Sequence, residues 1–410
     1  MLRNVLYLVV AGAFSATLAG PASAEFDTGY LYGRVITVDG TTYQGEIRWG
    51  REETFWDDMF NTTKIENPNI DYLDDDELES IERKDRSWWD DTFSWGRDDE
   101  HTHRFAVRFG DVRAIEMDGD EVEIEFNNGM KMAFEGGSND IGASIIVLDA
   151  ETGRVKLKWD RVKRVEFMNT PNRLEVKLGD PLYGTVETRH GSFTGLVQWD
   201  HEECLTSDVL DGDTRDGDMS ISFGNIESIE KKGKNRSLVT LRSGRKLELR
   251  GSNDVNHDNR GIVVKDPDFG KVKVMWNDFE KVTFETKSRT SGDSYGSYGS
   301  PRELIGSVRT SDGDTFSGRI VFDLDEEWDF EILDGSRGDT EYMIPFRSVA
   351  RIIPENRNST TVELKSGKTV RLENSQDVTR HNDGILVFAL SREDDPVYIR
   401  WKDVEEITFN

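Results

Sequence analysis

Four carboxylates fall within eight residues at Asp211-Gly-Asp213-Thr-Arg-Asp216-Gly-Asp218. Alternating Asp on a glycine-bent loop can supply the oxygen ligands that calcium requires. The spacing is not that of an EF-hand, since no Glu stands at the last ligand position and no helical pattern flanks the loop. The same residues suit a solvated hairpin loop, and the sequence leaves both readings open. Calcium is therefore the one cofactor with a candidate site, and otherwise none is expected.

A second group recurs three times, as Ser138-Asn139-Asp140, Ser252-Asn253-Asp254 and Ser375-Gln376-Asp377. Such side chains bond neighbouring backbone amides and shape turns. Presented three times, they also form a candidate polar ligand site for sugar hydroxyls or a cation. A third group is Trp56, Trp88, Trp89 and Trp95, set among many acids in a stretch from about 55 to 104. Tryptophans on an acidic surface anchor protein partners. Extra core or a short covering helix is the other reading.

Signs of catalysis are missing from the sequence. The six histidines show no zinc-type spacing with cysteine, and no nucleophile elbow, phosphate loop or dinucleotide fingerprint occurs. An enzyme is not expected, with an envelope hydrolase as the last alternative.

Charge and the N-terminus narrow the class further. Arg3, an apolar run from Val5 to Gly20 and the ending Pro21-Ala22-Ser23-Ala24 describe a secretory signal peptide cut after Ala24. The chain carries a formal charge of −28, one unit more negative once Arg3 is removed. So acidic a chain repels nucleic acid and anionic lipid, which leaves a protein or envelope component as the expected partner. No later stretch is apolar enough to span a bilayer as a helix, so after signal cleavage no integral membrane protein is expected. Cys204 is the single cysteine, so no internal disulfide is possible, and a buried apolar role is expected.

The elements that position these groups read as repeats. Three segments open alike, with LYGRVITVDGTTYQGEIRW from Leu31, LYGTVETRHGSFTGLVQW from Leu182 and LIGSVRTSDGDTFSGRIVF from Leu304. Period-two alternation broken by a turn glycine describes a hairpin. Three segments close alike, with Trp159, Trp276 and Trp401 each followed by apolar residues three, six and eight places on. That spacing predicts a 3₁₀ step into a last strand, with the three tryptophans buried. The aromatic, plus three, plus six spacing also occurs from Phe109, Phe223 and Phe346, which suggests that each repeat is doubled internally.

The Gly-x-Val-x-Thr-x-x-Gly-x-x-aromatic-x-Gly pattern resembles the small five-stranded barrels of the Sm-like superfold. The stretch MIPFRSVARI, Met343 to Ile352, is similar to the closing strand of PRC-barrel domains. The resemblance implies small barrels. The RNA binding of Sm-like proteins does not carry over, because the net charge opposes it.

The expected architecture is all-β, with three tandem repeats, each a pair of small five-stranded antiparallel barrels. The expected boundaries are a signal peptide at 1–24, repeats at 27–168, 172–285 and 304–410, and a flexible Gly/Ser/Tyr tether at 286–303. The expected function is an exported, non-catalytic binding or envelope-scaffold protein. A divalent-cation or carbohydrate binder is the alternative.

Overall fold

A computed structural model describes residues 27–64, 67–85, 103–119, 121–135, 140–285, 292–389 and 392–410. The signal segment 1–24, Trp88, Trp89, Trp95, Ser138 and Asn139 lie outside the described residues. The fold is all-β and antiparallel, with one short α-helix among the described residues.

The first segment contains β1 (Tyr32–Thr37), β2 (Thr42–Trp49), β3 (Met59–Lys64), helix α1 (Asp75–Asp85), β4 (His103–Arg108), β5 (Val112–Asp118), β6 (Glu121–Phe126), β7 (Lys131–Glu135), β8 (Ile145–Asp149), β9 (Gly153–Leu157) and β10 (Val162–Phe167). The second contains β11 (Tyr183–Thr188), β12 (Gly191–Gln198), β13 (Val209–Asp213), β14 (Asp218–Ser222), β15 (Ile226–Lys231), β16 (Arg236–Leu241), β17 (Lys246–Arg250), β18 (Ile262–Asp266), β19 (Gly270–Val274) and β20 (Phe279–Phe284). The third contains β21 (Ile305–Thr310), β22 (Thr315–Phe322), β23 (Ile332–Arg337), β24 (Thr340–Pro345), β25 (Val349–Asn356), β26 (Ser359–Leu364), β27 (Thr369–Glu373), β28 (Ile385–Ala389), β29 (Arg392–Ile399) and β30 (Val404–Phe409).

The first segment forms one sheet in the order β4-β3-β7-β6-β5-β10-β1-β2-β8-β9. Pairings in the second segment give the order β14-β13-β17-β16-β15-β20-β11-β12-β18-β19. Those in the third give β24-β23-β27-β26-β25-β30-β21-β22-β28-β29. Antiparallel pairing of β19 with β24 joins these two into a sheet of twenty strands.

This corrects the expectation of closed barrel pairs. The structure has two large antiparallel sheets, and neither closes on itself among the described residues. Nor do the halves follow one another in sequence. Strands β3 to β7 are nested between β2 and β8, and β10 pairs with both β1 and β5. The recurring glycines show how. A Cβ on Gly33 would sit 2.3 Å from the Glu166 carbonyl oxygen, and one on Gly45 would sit 1.9 Å from that of Leu148. Glycine at these places lets β1 press against β10 and β2 against β8, a closeness no side chain permits.

The aromatics that end the second strand of each segment, Trp49, Trp199 and Phe322, are fully buried. Trp276 and Trp401 are buried as expected, but Trp159 is only half-buried and donates its indole N–H to the Gly119 carbonyl at 2.8 Å. Trp56 is also core. It is fully buried, it donates to Thr170 Oγ1 at 3.1 Å, and its ring lies 4.5 Å from that of Tyr295. A surface role for Trp56 as a partner anchor is therefore overturned. Cys204 is buried beside Thr54, and burial pushes its thiol up to about 12, which leaves it unreactive at neutral pH.

Part of the expected flexible tether is packed, and residues 286–291 of it lie outside the described residues. Tyr295 donates to the Val112 carbonyl at 2.9 Å, and the buried Tyr298 bonds Asp57 and lies under the Arg108 guanidinium, 4.9 Å from ring centroid to Cζ. These two rings hold residues 295–298 against the first segment.

All three segments touch one another. Between the first and second, Arg48 donates to the carbonyls of Arg51 and Glu202, while Gln198 donates to those of His201 and Glu52. Each residue precedes its own closing Trp, so the contact is reciprocal. Between the first and third, Lys64 meets Glu331 at 2.6 Å, Phe330 stacks on Phe126, and Leu78 and Ile81 of α1 pack on Leu324 and Phe388. No helix among the described residues is long and apolar enough to cross a membrane.

Candidate functional site

The site is assembled from a loop found after the second strand of every segment. At +4 from the closing aromatic stands a Glu (Glu53, Glu203, Glu326), bridged back to that aromatic through the backbone. At +9 stands an acid (Asp58, Asp208, Glu331) that accepts two backbone N–H groups of the same loop. In the second segment the loop reverses through Asp200 and His201, with φ of 48° and 65°. Asp200 holds that left-handed geometry because its carboxylate accepts the Arg260 N–H at 2.6 Å and its side chain at 3.0 Å.

The Ser-Asn-Asp turn meets this loop. Asp254 accepts the Asp211 N–H at 2.6 Å, and its own carbonyl accepts the Trp199 indole N–H at 2.9 Å. Ser252 Oγ donates to the Asp211 carbonyl, and Asn253 donates to Asp200. The other segments repeat the staple. Asp140 accepts the Asn61 N–H at 2.7 Å and the Trp49 indole donates to the Asp140 carbonyl at 3.0 Å. Asp377 accepts the Asp334 N–H at 2.6 Å, and Ser375 Oγ donates to the Asp334 carbonyl. Gln376 is elsewhere engaged, with Asp383. The motif thus ties the turn after the seventh strand of each segment to its third strand.

In the second segment these groups open onto a cleft of about 470 Å³, lined by Arg51, Asp200, Glu202, Glu203, Asp211, Asn253, Asp254 and Arg260. Arg51 comes from the first segment. Glu202 is gripped by both guanidiniums, Arg51 and Arg260 each at 3.0 Å. Burial opposes charge on Glu202, but these two bonds hold its carboxyl below the usual range. Glu203 has the opposite environment. Burial first, then Asp254, Asp200 and Glu202, push it up to about 9, and its Oε2 has no hydrogen-bond partner among the described residues. Burial raises Asp254 to about 6. At neutral pH the cleft therefore presents a protonated Glu203 donor, an ionised acceptor at Asp254 and a carboxamide at Asn253. Both guanidiniums are already neutralised.

Of the residues singled out in sequence, the cleft gathers Asn253, Asp254 and Asp211. It does not gather the rest of the acidic loop. Asp213 pairs with Asp218 across the β13–β14 hairpin, and Asp216 sits in its exposed turn. Among the described residues no group of three or more His, Cys, Asp or Glu is disposed to hold a metal ion. Sequence reasoning missed Arg51, Asp200, Glu202, Glu203 and Arg260. The acids at +4 and +9 were a readable signal for Glu203, whereas the approach of Arg51 from another segment leaves no local trace.

No family model matches the chain, and no curated protein matches it. A streptogramin B lyase structure aligns over 73% of this chain and 94% of its own, at 12% identity and a TM-score of 0.12. A likeness so slight supports neither a fold nor an activity.

Proposed function

We propose that the chain is an exported, non-catalytic binding and scaffold protein, built of three tandem copies of one ten-stranded unit. Its ligand site is the cleft between the first and second units. The observation that carries this reading is the cleft's lining, where neutral and ionised carboxyls stand beside a carboxamide and two neutralised guanidiniums. Such a lining offers donors and acceptors together, which suits a small polar ligand bearing hydroxyls or an ammonium group. Export rests on the first 24 residues, and the strong negative charge argues against nucleic-acid partners.

Calorimetric titration with a panel of sugars and alkylamines tests the reading. One class is expected to bind saturably, and Glu203→Ala together with Asn253→Ala is expected to weaken it at least roughly tenfold, the worth of one or two buried hydrogen bonds. Failure of every class to bind would remove the reading.

Calcium is expected to act weakly. The acids of the Asp211–Asp218 hairpin lie in a strand ladder and its turn rather than around one point. Thermal unfolding with and without calcium at fixed ionic strength should differ by little. A shift of many degrees at micromolar calcium, lost in Asp213→Asn, would make the protein a calcium binder.

A second reading has one observation in its favour. Two neighbouring carboxyls held at about 9 and about 6 form an acid and base pair of the type used in hydrolysis. Turnover of chromogenic glycosides or esters, abolished by Glu203→Gln, would favour that reading over binding alone.

A further inference from the structure

We propose that copies of this chain assemble head to tail, the edge strand β9 of one copy pairing with the edge strand β14 of the next. The inference is independent of the ligand cleft.

The chain itself contains the template. Between the second and third segments, β19 pairs antiparallel with β24 in the register Lys271↔Met343, Val272↔Tyr342, Lys273↔Glu341 and Val274↔Thr340. Lys273 forms an ion pair with Glu341 at 3.5 Å. Strand β9, Gly-Arg-Val-Lys-Leu, matches β19, Gly-Lys-Val-Lys-Val, residue for residue, and occupies the same place in its segment's strand order. Strand β14 occupies the place of β24, and aligning the following Phe223 with Phe346 sets Asp218 where Glu341 stands.

Both strands are sheet ends. Among the described residues β9 pairs only with β8, and β14 only with β13. An unpaired edge leaves a row of backbone groups ready for another strand. Burial shows the same vacancy on the side chains. Val272 and Val274 of the paired edge are fully buried and Tyr342 nearly so, whereas their counterparts Val155, Leu157 and Met219 are half-exposed. Arg154 and Lys156 are exposed on a chain of strongly negative charge. Transferring the register places Arg154 opposite Ser220, Val155 opposite Met219 and Lys156 opposite Asp218. The apolar pair is then covered and the charges are matched.

The other two free ends do not fit. β29 carries Asp394, Asp395 and Pro396, and proline cannot donate to a ladder. In the sequence of β4 the position that aligns with Glu341 is Arg104, which has the same sign of charge as Lys156. Each copy thus has one β9 end and one complementary β14 end. Such a contact is heterologous, so it grows into a ring or a filament rather than stopping at a two-fold dimer.

Sedimentation velocity over a range of concentrations tests this on the purified protein at fixed salt. The wild-type mass should rise with concentration beyond the dimer. Lys156→Glu and Asp218→Lys should each raise the concentration of half-association roughly tenfold. The double variant, whose net charge equals that of the wild type, should restore it. A mixture of the two single variants should recover growth beyond the dimer, because the β9 edge of each variant is charge-matched to the β14 edge of the other and mismatched to its own. Asp218→Lys also lowers the net negative charge, so weaker association in that variant cannot come from general repulsion. Both positions are exposed, and an unchanged melting temperature confirms the fold. A wild type that stays monomeric throughout overturns the proposal, as does association that is the same in all variants.

Discussion

Replacing Trp199 with alanine is expected to destabilise the protein by about 3–5 kcal/mol, the usual cost of removing a buried large aromatic. Trp199 is fully buried, lies edge-on to Phe279 at 5.3 Å between centroids, and its indole N–H is the bond that fixes the Asp254 carbonyl. Phenylalanine should be far milder, at about 1–2 kcal/mol, because it keeps most of the ring and loses chiefly the hydrogen bond. The third segment already has Phe322 in this place, against Phe346 and Trp401. Urea unfolding of both variants gives the comparison. An alanine cost below about 1 kcal/mol would mean that the second core does not rest on this ring.

The second large effect is on pH. A carboxyl whose folded pKa is raised holds its proton after the unfolded chain has lost it, so stability falls as pH rises between the two values. Glu203, ordinarily near 4.5, is held at about 9 by burial and neighbouring acids. Glu46 at about 7 and Asp140 and Asp254 at about 6 are raised chiefly by burial and add to the loss at lower pH. Above pH 7 Glu203 is the main remaining contributor of these four, with a slope of at most about 1.4 kcal/mol per pH unit. Glu203→Gln should therefore flatten the stability profile between pH 7 and 9 and make the variant the more stable protein at the upper end. Parallel profiles for the two proteins would show that Glu203 ionises normally and that its surroundings are wetter than the structure indicates.

The all-β class was legible because period-two alternation and turn glycines are local signals. So were the burial of Trp276 and Trp401 and the turn role of the Ser-Asn-Asp motif. The nesting of β3 to β7 was not legible. The spacing from Phe109, Phe223 and Phe346 correctly marks a 3₁₀ step into a strand. However, it does not say which strand that one pairs with, and the close approach at Gly33 and Gly45 that decides it joins residues more than a hundred positions apart. The packing of part of the tether was hidden for a related reason. Gly and Ser content describes the freedom of an isolated chain, and it cannot register that Tyr295 and Tyr298 find a place on the first segment. The candidate site was half legible. Asn253, Asp254 and Asp211 were visible as motifs, but the cleft needs Arg51 and Arg260 to neutralise Glu202, and both are brought in by packing.

The most direct measurement is hydrogen–deuterium exchange of the purified protein with and without the ligand class that titration identifies. Added protection is predicted at residues 200–203, at the start of the β13–β14 hairpin near Asp211, and at residues 253–260. It should extend across the segment junction to Arg51 and be lost in Glu203→Ala. Protection confined to other parts of the chain, or unchanged by that substitution, would contradict the placement of the site in this cleft.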